Sequence, residues 1–349
     1  MLAVSVAAVQ LDPAQAASLA QLRYVSDDVP GYRRRRCGRG FSYHHADGRL
    51  VEAPEQRAWI RSLRIPPAWE DVWISPYRNG HLLATGRDGK GRKQYIYHPR
   101  WSAQRAAGIF HQMPAFGQAL PGLRARLESD LGQRGLGRER ILALVVRLLD
   151  LTLVRVGNAE YAKRNDSFGL TTLRSRHLDL AGSRIRFEFR GKSGKQHTLT
   201  LRDRRLAGLI RRCQELPGQE LFQYVDEAKQ RHGIDSADVN AYLAEVTGQP
   251  FTAKCFRTWG GSVAVVEALH KLPPPGTAAE AEQRLRTAVD CAARRLGNTV
   301  AVCRRHYVHP AIAECYRAGR FFALCRLDDG GDGLAPAERA LLWLLQASR

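Results

Sequence analysis

The hydrophobic periodicity of this chain changes near residue 120, and that change restricts the folds open to it. Between residues 71 and 98, short alternating runs are separated by turn signals such as Asn79-Gly80, a pattern typical of strands joined in hairpins. From about residue 123 the apolar spacing becomes helical, over 123–131 and again over 138–156. The sequence therefore predicts an α+β fold, with a small β-rich N-terminal domain and a larger, mainly helical domain.

The expected boundary between the two domains follows from these patterns. We place the β-rich domain at residues 1–106, with its first ~20 residues as a tail because they carry few ordering signals. The helical domain is placed at 107–349, and residues around 100–120 are interpreted as the connecting region. Gly157 is predicted to end the helix of 138–156, because glycine is the usual residue just beyond a helix C-terminus.

A second hairpin is predicted inside the helical domain. Residues 184–190 and 197–201 each alternate between polar and apolar side chains, as expected for strands with one buried face. The side chains predicted to face the core are Ile185, Phe187 and Phe189. The turn between these strands, residues 191–196, is basic, and on its pattern alone it would be a solvated loop.

The charge balance points to a polyanionic partner. The net charge is +20, from 54 lysines and arginines against 34 acidic residues, and nucleic acid is the simplest partner for such a chain. An acidic membrane surface is the alternative. However, charged residues interrupt every long apolar run, so none approaches the roughly 20 apolar residues of a membrane span. We therefore expect nucleic acid, and no membrane, as the partner.

The cysteines indicate the compartment. Seven are present, an odd number without a C-x-x-C pair, which favours reduced thiols over a disulfide framework or a zinc site. We therefore expect a cytoplasmic, nucleoid-associated protein. No phosphate-binding glycine loop, acidic cluster or metal-ligand spacing is evident, so we expect neither a metal nor another cofactor.

One tyrosine near the end of the chain is a candidate nucleophile. Tyr307 directly follows Arg304, Arg305 and His306, and Asn298 lies nine residues earlier. An unperturbed phenol has a pKa of about 10, and nearby cations favour its ionised form. Such a tyrosine can attack phosphorus and become covalently attached. In isolation, the more common outcome for such a segment is a packed tyrosine beside solvated arginines.

Further segments resemble motifs of one family and occur in that family's order. They are the strand region 90–98, the segments Leu153–Tyr161, Gly191–Gln196 and Phe251–Gly260, and the tyrosine segment Leu296–Pro310. From about residue 63 to 325, the chain resembles the type IB DNA topoisomerases of the bacterial and poxvirus-like branch. Val300 stands where that family commonly has proline. The resemblance implies a helical domain of the tyrosine recombinase and topoisomerase IB type.

The resemblance also implies a catalytic set, namely Tyr307, Arg155, Lys192, Arg257 and Asn298. The tyrosine would attack the phosphodiester, and the two arginines would stabilise charge on the non-bridging oxygens. Asn298 would donate a further hydrogen bond, where some relatives use histidine. Lys192 would protonate the leaving 5′ oxygen, with Lys195 as the fallback. The group that takes the proton of Tyr307 stays open, with water or an arginine as candidates.

The same resemblance implies a set of DNA contacts, namely Gln94, Tyr95, Tyr97, Tyr161 and Lys254. On the strand pattern alone, Tyr95 and Tyr97 would share one face of a strand and be half buried in the sheet. Amide and phenol groups are also suited to contacts with base edges and phosphates. The first interpretation makes the tyrosines part of the packing of the sheet, and the second makes them contacts to DNA.

The implied function is that of a monomeric bacterial enzyme that relaxes supercoiled DNA. It would cut one strand through a 3′-phosphotyrosyl intermediate and religate it, without ATP or a required metal, while clamping the duplex. One alternative is a tyrosine recombinase or integrase, although recombinases typically carry H-x-x-R where this chain has Lys254-Cys-Phe-Arg257. The other is a non-enzymatic basic DNA-binding protein, which would explain the charge but not the ordered catalytic set.

Overall fold

The computed structural model describes residues 12–89, 91–328 and 330–348, with the backbone alone for 105–107. Over these residues the chain forms two compact units that divide between Gly108 and Ile109. Of the expected N-terminal tail, residues 1–11 lie outside the described residues. The following residues form a short helix, in which Ala17 is fully buried against Leu22 and Trp101.

The helices and strands of the first unit are, in chain order, α1 (Pro13–Leu19), β1 (Tyr32–Cys37), β2 (Gly40–His44), α2 (Pro54–Ser62), β3 (Glu70–Ile74), β4 (Leu82–Arg87) and β5 (Lys93–Tyr97). Among the described residues these strands form a five-stranded antiparallel sheet in the order β2-β1-β3-β4-β5. One face of the sheet packs Val72, Ile74 and Ala84 against Ile60 of α2. The β-rich character predicted for the N-terminal region is confirmed.

The run of four arginines in β1 is divided between the two faces of the sheet. Arg34 lies on the α2 side, where its guanidinium donates to the carbonyl oxygens of Ile65 and Pro66 at 3.2 and 3.0 Å. Arg33 and Arg35 lie on the opposite face, since successive side chains of a strand alternate, and both are exposed. Arg34 is therefore structural, whereas its two neighbours are free to meet solvent or phosphate.

The helices and strands of the second unit, beginning with the helix that enters it, are α3 (Pro99–Gly132), α4 (Arg138–Thr152), α5 (Ala159–Asn165), β6 (Leu178–Ala181), β7 (Arg184–Arg190), β8 (Gln196–Arg202), α6 (Arg204–Gln214), β9 (Gln223–Val225), β10 (Arg231–Gly233), α7 (Ser236–Thr247), α8 (Ala253–His270), α9 (Ala278–Leu296), α10 (Val300–His306), α11 (Pro310–Arg317), α12 (Phe321–Leu324) and α13 (Pro336–Ala347). This unit is mainly helical, as the sequence predicts. Strands β6, β7 and β8 form a small antiparallel sheet.

The predicted hairpin of the second unit is confirmed. Strands β7 and β8 pair antiparallel from Arg184 opposite Arg202 to Arg190 opposite Gln196. Their inward side chains, Ile185, Phe187 and Phe189, are buried in the main core. The turn therefore holds its lysines at the tip of a ribbon whose base is fixed by apolar packing.

Two helix boundaries differ from the sequence-based prediction. Helix α3 begins at Pro99, well before the predicted start at residue 123. Prolines at 114 and 121 weaken its local helical signal. Packing compensates, because Phe116 meets Phe251, Phe256 and Trp259 edge to face.

The predicted end of the next helix is wrong as well. Helix α4 stops at Thr152, and Leu153 takes the left-handed conformation that was expected of Gly157. Just after the helix, the N–H of Val154 donates to Oγ1 of Thr152 at 3.3 Å. The backbone N–H groups of Leu170 and Thr171 then donate to the carbonyl oxygens of Arg155 and Val156. The residues that follow Thr152 are therefore held by hydrogen bonds outside the helix.

Helices α4 and α8 form the centre of the second unit. Residues 141–146 of α4 are fully buried, as are most residues of α8. Helices α9 and α13 both pack against α8. Within the described part of the chain, no helix is both long and apolar enough to cross a membrane. The central helices therefore form a rigid base for the segments at their ends.

Candidate active site

The second unit contains a cleft of about 480 Å³ in which most of the predicted site residues meet. Those that line it are Arg155, Lys192, Arg257 and Tyr307, together with Tyr161 and Lys254. They come from five separate segments of the chain: the loop after α4, helix α5, the β7–β8 turn, the start of α8 and the end of α10. The cleft thus brings together four of the five predicted catalytic residues, while Asn298 is not among the residues that line it.

Arg155 is placed by a close crossing of two backbone segments. Its carbonyl oxygen accepts from Leu170 N at 3.0 Å, and the next carbonyl, of Val156, accepts from Thr171 N at 2.7 Å. At the crossing itself stand Gly157 and Gly169. A Cβ on Gly169 would lie 2.5 Å from the Arg155 carbonyl oxygen, so only glycine allows this approach. Arg155 is thus fixed at its backbone while its side chain reaches into the cleft.

Asn298 is held beside the cleft with one donor unused. Gly297 ends α9 in the left-handed conformation, with φ of 63°, as is usual for the glycine just beyond a helix. The side chain of Asn298 accepts from Arg155, with 2.7 Å between Oδ1 and Nη2. Its Nδ2 is buried and has no hydrogen-bond partner. A buried amide donor without a partner is costly, and a bound phosphate oxygen would satisfy it.

Arg257 connects the ends of two helices. Its side chain is 4% exposed, and it donates to the carbonyl oxygens of Leu153 and Leu296. These carbonyls lie where α4 and α9 end, among the groups that a helix leaves unpaired. Burial and the charge of Arg155 lower the pKa of Arg257, yet a guanidinium stays protonated in proteins. Arg257 therefore places a fixed charge between the segments that carry Arg155 and Asn298.

The phenol ring of Tyr307 lies against the guanidinium group of Arg257. The Arg257 Cζ is 5.0 Å from the centroid of the phenol ring. Burial alone would raise the pKa of Tyr307, but the positive charges of Arg257, Arg155 and Lys254 lower it, and the net shift is below the ordinary value. The ionised phenol, which is the nucleophilic form, is therefore favoured at this position.

Ser262, which the sequence analysis missed, fixes the backbone at Tyr307. Its hydroxyl donates to the Tyr307 carbonyl oxygen at 3.3 Å and accepts from His309 N at 3.0 Å. Gly261 permits the approach, since a Cβ there would be 2.7 Å from the same carbonyl oxygen. No local motif marks this serine, because its role depends on two segments that are distant in sequence.

The two lysines of the β7–β8 turn differ in position. Lys192 lines the cleft, whereas Lys195 is not among the lining residues. The turn is closed by the Gly191 N–H, which donates to the Lys195 carbonyl oxygen at 2.7 Å. Of the two lysines that the sequence leaves open, the structure therefore brings Lys192 to the other site residues.

Comparison with known proteins now assigns the family. The model described as "Eukaryotic DNA topoisomerase I, catalytic core" matches residues 99–317, and the model described as "Bacterial DNA topoisomerase IB, N-terminal domain" matches residues 40–88. The chain belongs to the type IB DNA topoisomerase family. It is therefore an isomerase that acts on DNA, as the sequence resemblance implied.

Individual relatives are viral enzymes. DNA topoisomerase 1B of Acanthamoeba polyphaga mimivirus is 30% identical over 314 residues, which cover 88% of this chain and 94% of the relative. DNA topoisomerase 1B of Vaccinia virus (strain Copenhagen) is 22% identical over 261 residues, or 72% and 77% of the two chains. DNA topoisomerase 1 of Rabbit fibroma virus (strain Kasza) is 24% identical over 302 residues, or 79% and 89%. Nothing in these matches favours a recombinase or a non-enzymatic protein.

In the first unit of this topoisomerase, the two strand tyrosines lie outside the core. Tyr95 and Tyr97 are 46% and 42% exposed, and their rings stack with centroids 5.8 Å apart. Lys93, on the same face, places its Nζ 5.7 Å from the centre of the Tyr95 ring. The pair thus forms an exposed aromatic surface beside a cation.

Gln94 does not join this surface. Strand alternation directs it to the opposite face of β5, where its Nε2 donates to Oδ2 of Asp88 at 2.9 Å. Asp88 also pairs with Arg92, so Gln94 belongs to the network of the β4–β5 turn. The structure separates Gln94 from the two tyrosines with which the family resemblance groups it, and its contact with DNA stays a prediction.

Proposed function

We propose that this protein relaxes supercoiled duplex DNA through a covalent bond between Tyr307 and the 3′ end of a transiently cut strand. The observation that carries the proposal is the position of Tyr307 under the buried charge of Arg257, in one cleft with Arg155 and Lys192. Membership of the type IB family supplies the reaction class. The geometry supports a role for each residue.

The cleavage step uses the tyrosine and the arginines. The phenolate oxygen of Tyr307 attacks the phosphorus, a phosphotyrosyl bond forms, and the bond to the 5′ oxygen breaks. Arg155 and Arg257 stabilise the charge that develops on the non-bridging oxygens. Asn298 offers its unpartnered Nδ2–H to the same oxygens. Since guanidinium groups supply the positive charge, the step does not require a divalent metal.

Lys192 is proposed to protonate the departing 5′ oxygen, as a general acid. Lys254 lies one turn before Arg257 on α8 and would contact a flanking phosphate. Tyr161, on the short helix α5, would contact the DNA from the other side of the cleft. Religation reverses the steps: the 5′ hydroxyl attacks the phosphotyrosine and Tyr307 leaves. The phosphotyrosyl bond retains the energy of the phosphodiester, so no ATP is needed.

The proton of Tyr307 is proposed to leave to water. Among the described residues that line the cleft there is no carboxylate and no imidazole. The cations that lower the pKa of Tyr307 reduce the need for a dedicated base, because they increase the fraction of phenolate. This assignment selects one of the two candidates that the sequence leaves open.

The remaining expectations complete the proposal. Residues 1–106 would bind duplex DNA through Tyr95, Tyr97 and Gln94, and residues 107–349 would carry out the chemistry. One chain holds a full catalytic set, so the enzyme would act as a monomer. Its substrate would be chromosomal DNA, which places it in the nucleoid of the cytoplasm.

Plasmid relaxation in EDTA without ATP tests the proposal. Wild-type enzyme should relax supercoiled plasmid, and detergent should trap a covalent complex. Tyr307→Phe should do neither while still binding DNA. Tyr316→Phe is the matched control, because the buried hydroxyl of Tyr316 has no hydrogen-bond partner; it should behave as wild type.

The polarity of the covalent bond is the decisive readout. With a duplex that is labelled at the 5′ end of the cut strand, the labelled fragment should become attached to protein. Attachment of a 3′-labelled fragment instead would exclude the proposed intermediate. A stable tetramer that exchanges strands between two duplexes would identify a recombinase.

A further inference from the structure

His197 occupies the space between two segments of the active site. It is the second residue of β8 and pairs with Phe189 across the hairpin. The two rings are stacked, with centroids 5.2 Å apart and planes inclined by 13°. Phe189 is buried in the core, so the stacking anchors the imidazole to the part of the hairpin that is fixed by apolar packing.

Two glycines allow the imidazole to touch two backbones at once. A Cβ on Gly191 would lie 2.5 Å from Cδ2 of His197, and a Cβ on Gly297 would lie 2.6 Å from Cε1 of the same ring. Each glycine directly precedes a residue of the catalytic set, Lys192 in one case and Asn298 in the other. The ring therefore packs between the two backbones next to these residues.

The surroundings of His197 explain why the ring is uncharged. Burial and the positive charges of Arg155, Arg257 and Lys195 lower its pKa, so the imidazole is neutral at neutral pH. It adds no further cation to the site. His197 is also not among the residues that line the cleft, and we assign it no contact with the DNA.

We propose that His197 is a positioning residue that fixes the tip of the β7–β8 hairpin against the turn of Asn298, and so holds Lys192 at the cleft. The proposal rests on the proposed function, in which Lys192 acts on the DNA strand. A lysine at the tip of a hairpin can change position through its own side chain and through the backbone of the turn, and the packed ring restrains that backbone. Orientation of this kind matters, since a displacement of about 1 Å can reduce a rate by about 10²-fold.

A double-mutant cycle with Lys192 tests this role. The measurement is the single-turnover rate of covalent complex formation at saturating enzyme on a duplex with one cleavage site. His197→Ala should be about 10²-fold slower than wild type. In the Lys192→Ala background the same change should have little further effect, because the residue that it positions is already absent. His197→Phe, which retains a ring in the same place, should recover most of the wild-type rate.

Leu199→Ala is the matched control. Leu199 lies on the same face of β8, one inward position farther from the tip, and packs against the core. It should lower the thermal unfolding temperature without coupling to Lys192. If His197→Ala slows wild type and Lys192→Ala by the same factor, or if Leu199→Ala couples to Lys192 equally, the positioning role is overturned. A folded His197→Phe enzyme as slow as the alanine variant would also overturn it.

Failure of this inference can be distinguished from failure of the proposed function. The function fails if Tyr307→Phe still forms the covalent complex or if the complex has the opposite polarity. The inference fails on the coupling alone, whatever the chemical role of Lys192. If the wild-type enzyme forms the proposed intermediate but the effects of the His197 and Lys192 variants are additive, the proposed function stands. The positioning role of His197 is then rejected.

Discussion

Arg155 and Asn298, separated by 143 positions in the sequence, are joined by a hydrogen bond of 2.7 Å from the guanidinium to the amide oxygen. This bond fixes the orientation of the amide, because its oxygen is engaged and its nitrogen is left as the free group. Asn298 can therefore act toward a bound phosphate as a donor only. The bond also couples two residues of the catalytic set, so a change in one alters the position of the other.

Replacement of Asn298 should show whether its side chain donates a hydrogen bond to the phosphate or only fills space beside the cleft. Asn298→Ala removes one donor to the developing charge, which typically costs about 10²–10³-fold in rate. Asn298→Asp should be slower still, because it keeps the shape but turns an oxygen toward the phosphate. Asn298→His should retain more activity than either. Single-turnover cleavage rates measure the order, and an aspartate variant as fast as wild type would contradict the donor role.

The two arginines should differ in their effect on stability. Arg257→Ala leaves the carbonyl oxygens of Leu153 and Leu296 without their buried donors, at about 1–3 kcal/mol for an unsatisfied buried group. Arg155→Ala loses one part-buried bond, to Asn298, and should cost less, about 0.5–1.5 kcal/mol. Both variants should be severely slow in cleavage. Urea unfolding beside single-turnover rates checks the difference; equal stabilities would mean that Arg257 is not needed to tie the helix ends.

The exposed tyrosines of the first unit should matter for DNA and not for folding. Tyr95→Ala with Tyr97→Ala should reduce covalent complex formation, while the free energy of unfolding changes by less than about 1 kcal/mol, since neither ring is in the core. Tyr43 is the control, because it packs against the buried cluster of the same sheet. Tyr43→Ala should cost stability, toward the about 3–5 kcal/mol of a lost core aromatic. A similar loss of stability for the Tyr95 and Tyr97 variants would show that these tyrosines pack the sheet.

Much of the fold is accessible from local sequence patterns. The β7–β8 hairpin follows from strict alternation, and the starts of α9 and α10 follow from Thr277 and Thr299, whose side chains cap the first turn. These features depend on residues that are close in sequence. Strand alternation also places Tyr95 and Tyr97 on one face of β5, where they are 46% and 42% exposed, and their contact with DNA stays a prediction.

What the sequence did not reveal depends on distant partners. The segment after α4 pairs with residues 170 and 171, which no local pattern links to the end of that helix. Ser262 and His197 gain their roles only when α8 and the β7–β8 hairpin meet segments from elsewhere in the chain. Gln94 is a different case, because strand alternation alone places its side chain on the face of β5 opposite Tyr95 and Tyr97. The family resemblance groups all three residues and does not show this difference.

His309 should make stability sensitive to acid. Burial lowers its pKa to about 4, and its Nδ1 accepts the Ala311 N–H at the start of α11. Above pH 6.5 the ring is neutral in both the folded and the unfolded state. As the pH falls from about 6.5 to about 4, the unfolded state takes up a proton that the folded state does not, so stability falls. Below about 4 this contribution levels off.

His309→Asn removes the titration and keeps a capping side chain. Relative to wild type, the variant should gain about 1–3 kcal/mol between pH 7 and pH 4, less than the full shift implies because the side chain keeps some solvent exposure. The other buried histidines contribute equally to both proteins and cancel in this difference. Thermal unfolding at several pH values checks the prediction, which a constant difference would contradict.

A substrate with sulfur in place of the 5′ bridging oxygen should separate Lys192 from the other site residues. Sulfur is a better leaving group and needs little protonation, so the general acid becomes dispensable. Lys192→Ala should be slower by about 10²–10⁴-fold on normal DNA and should recover most of its rate on the sulfur strand. Tyr307→Phe should stay inactive on both strands, because it lacks the nucleophile.

Arg155→Ala and Arg257→Ala should be slow on both strands, since their charge acts on the non-bridging oxygens. Lys195→Ala is the matched control for the turn. Lys195 has the same charge as Lys192 and lies three residues away from it, but outside the cleft. It should be close to wild type on both substrates. If Lys192→Ala gains nothing from sulfur while Lys195→Ala does, the acid is Lys195 and the side chain at the cleft is a phosphate contact. If neither lysine variant gains, the proton comes from an arginine, and the hairpin only binds the strand.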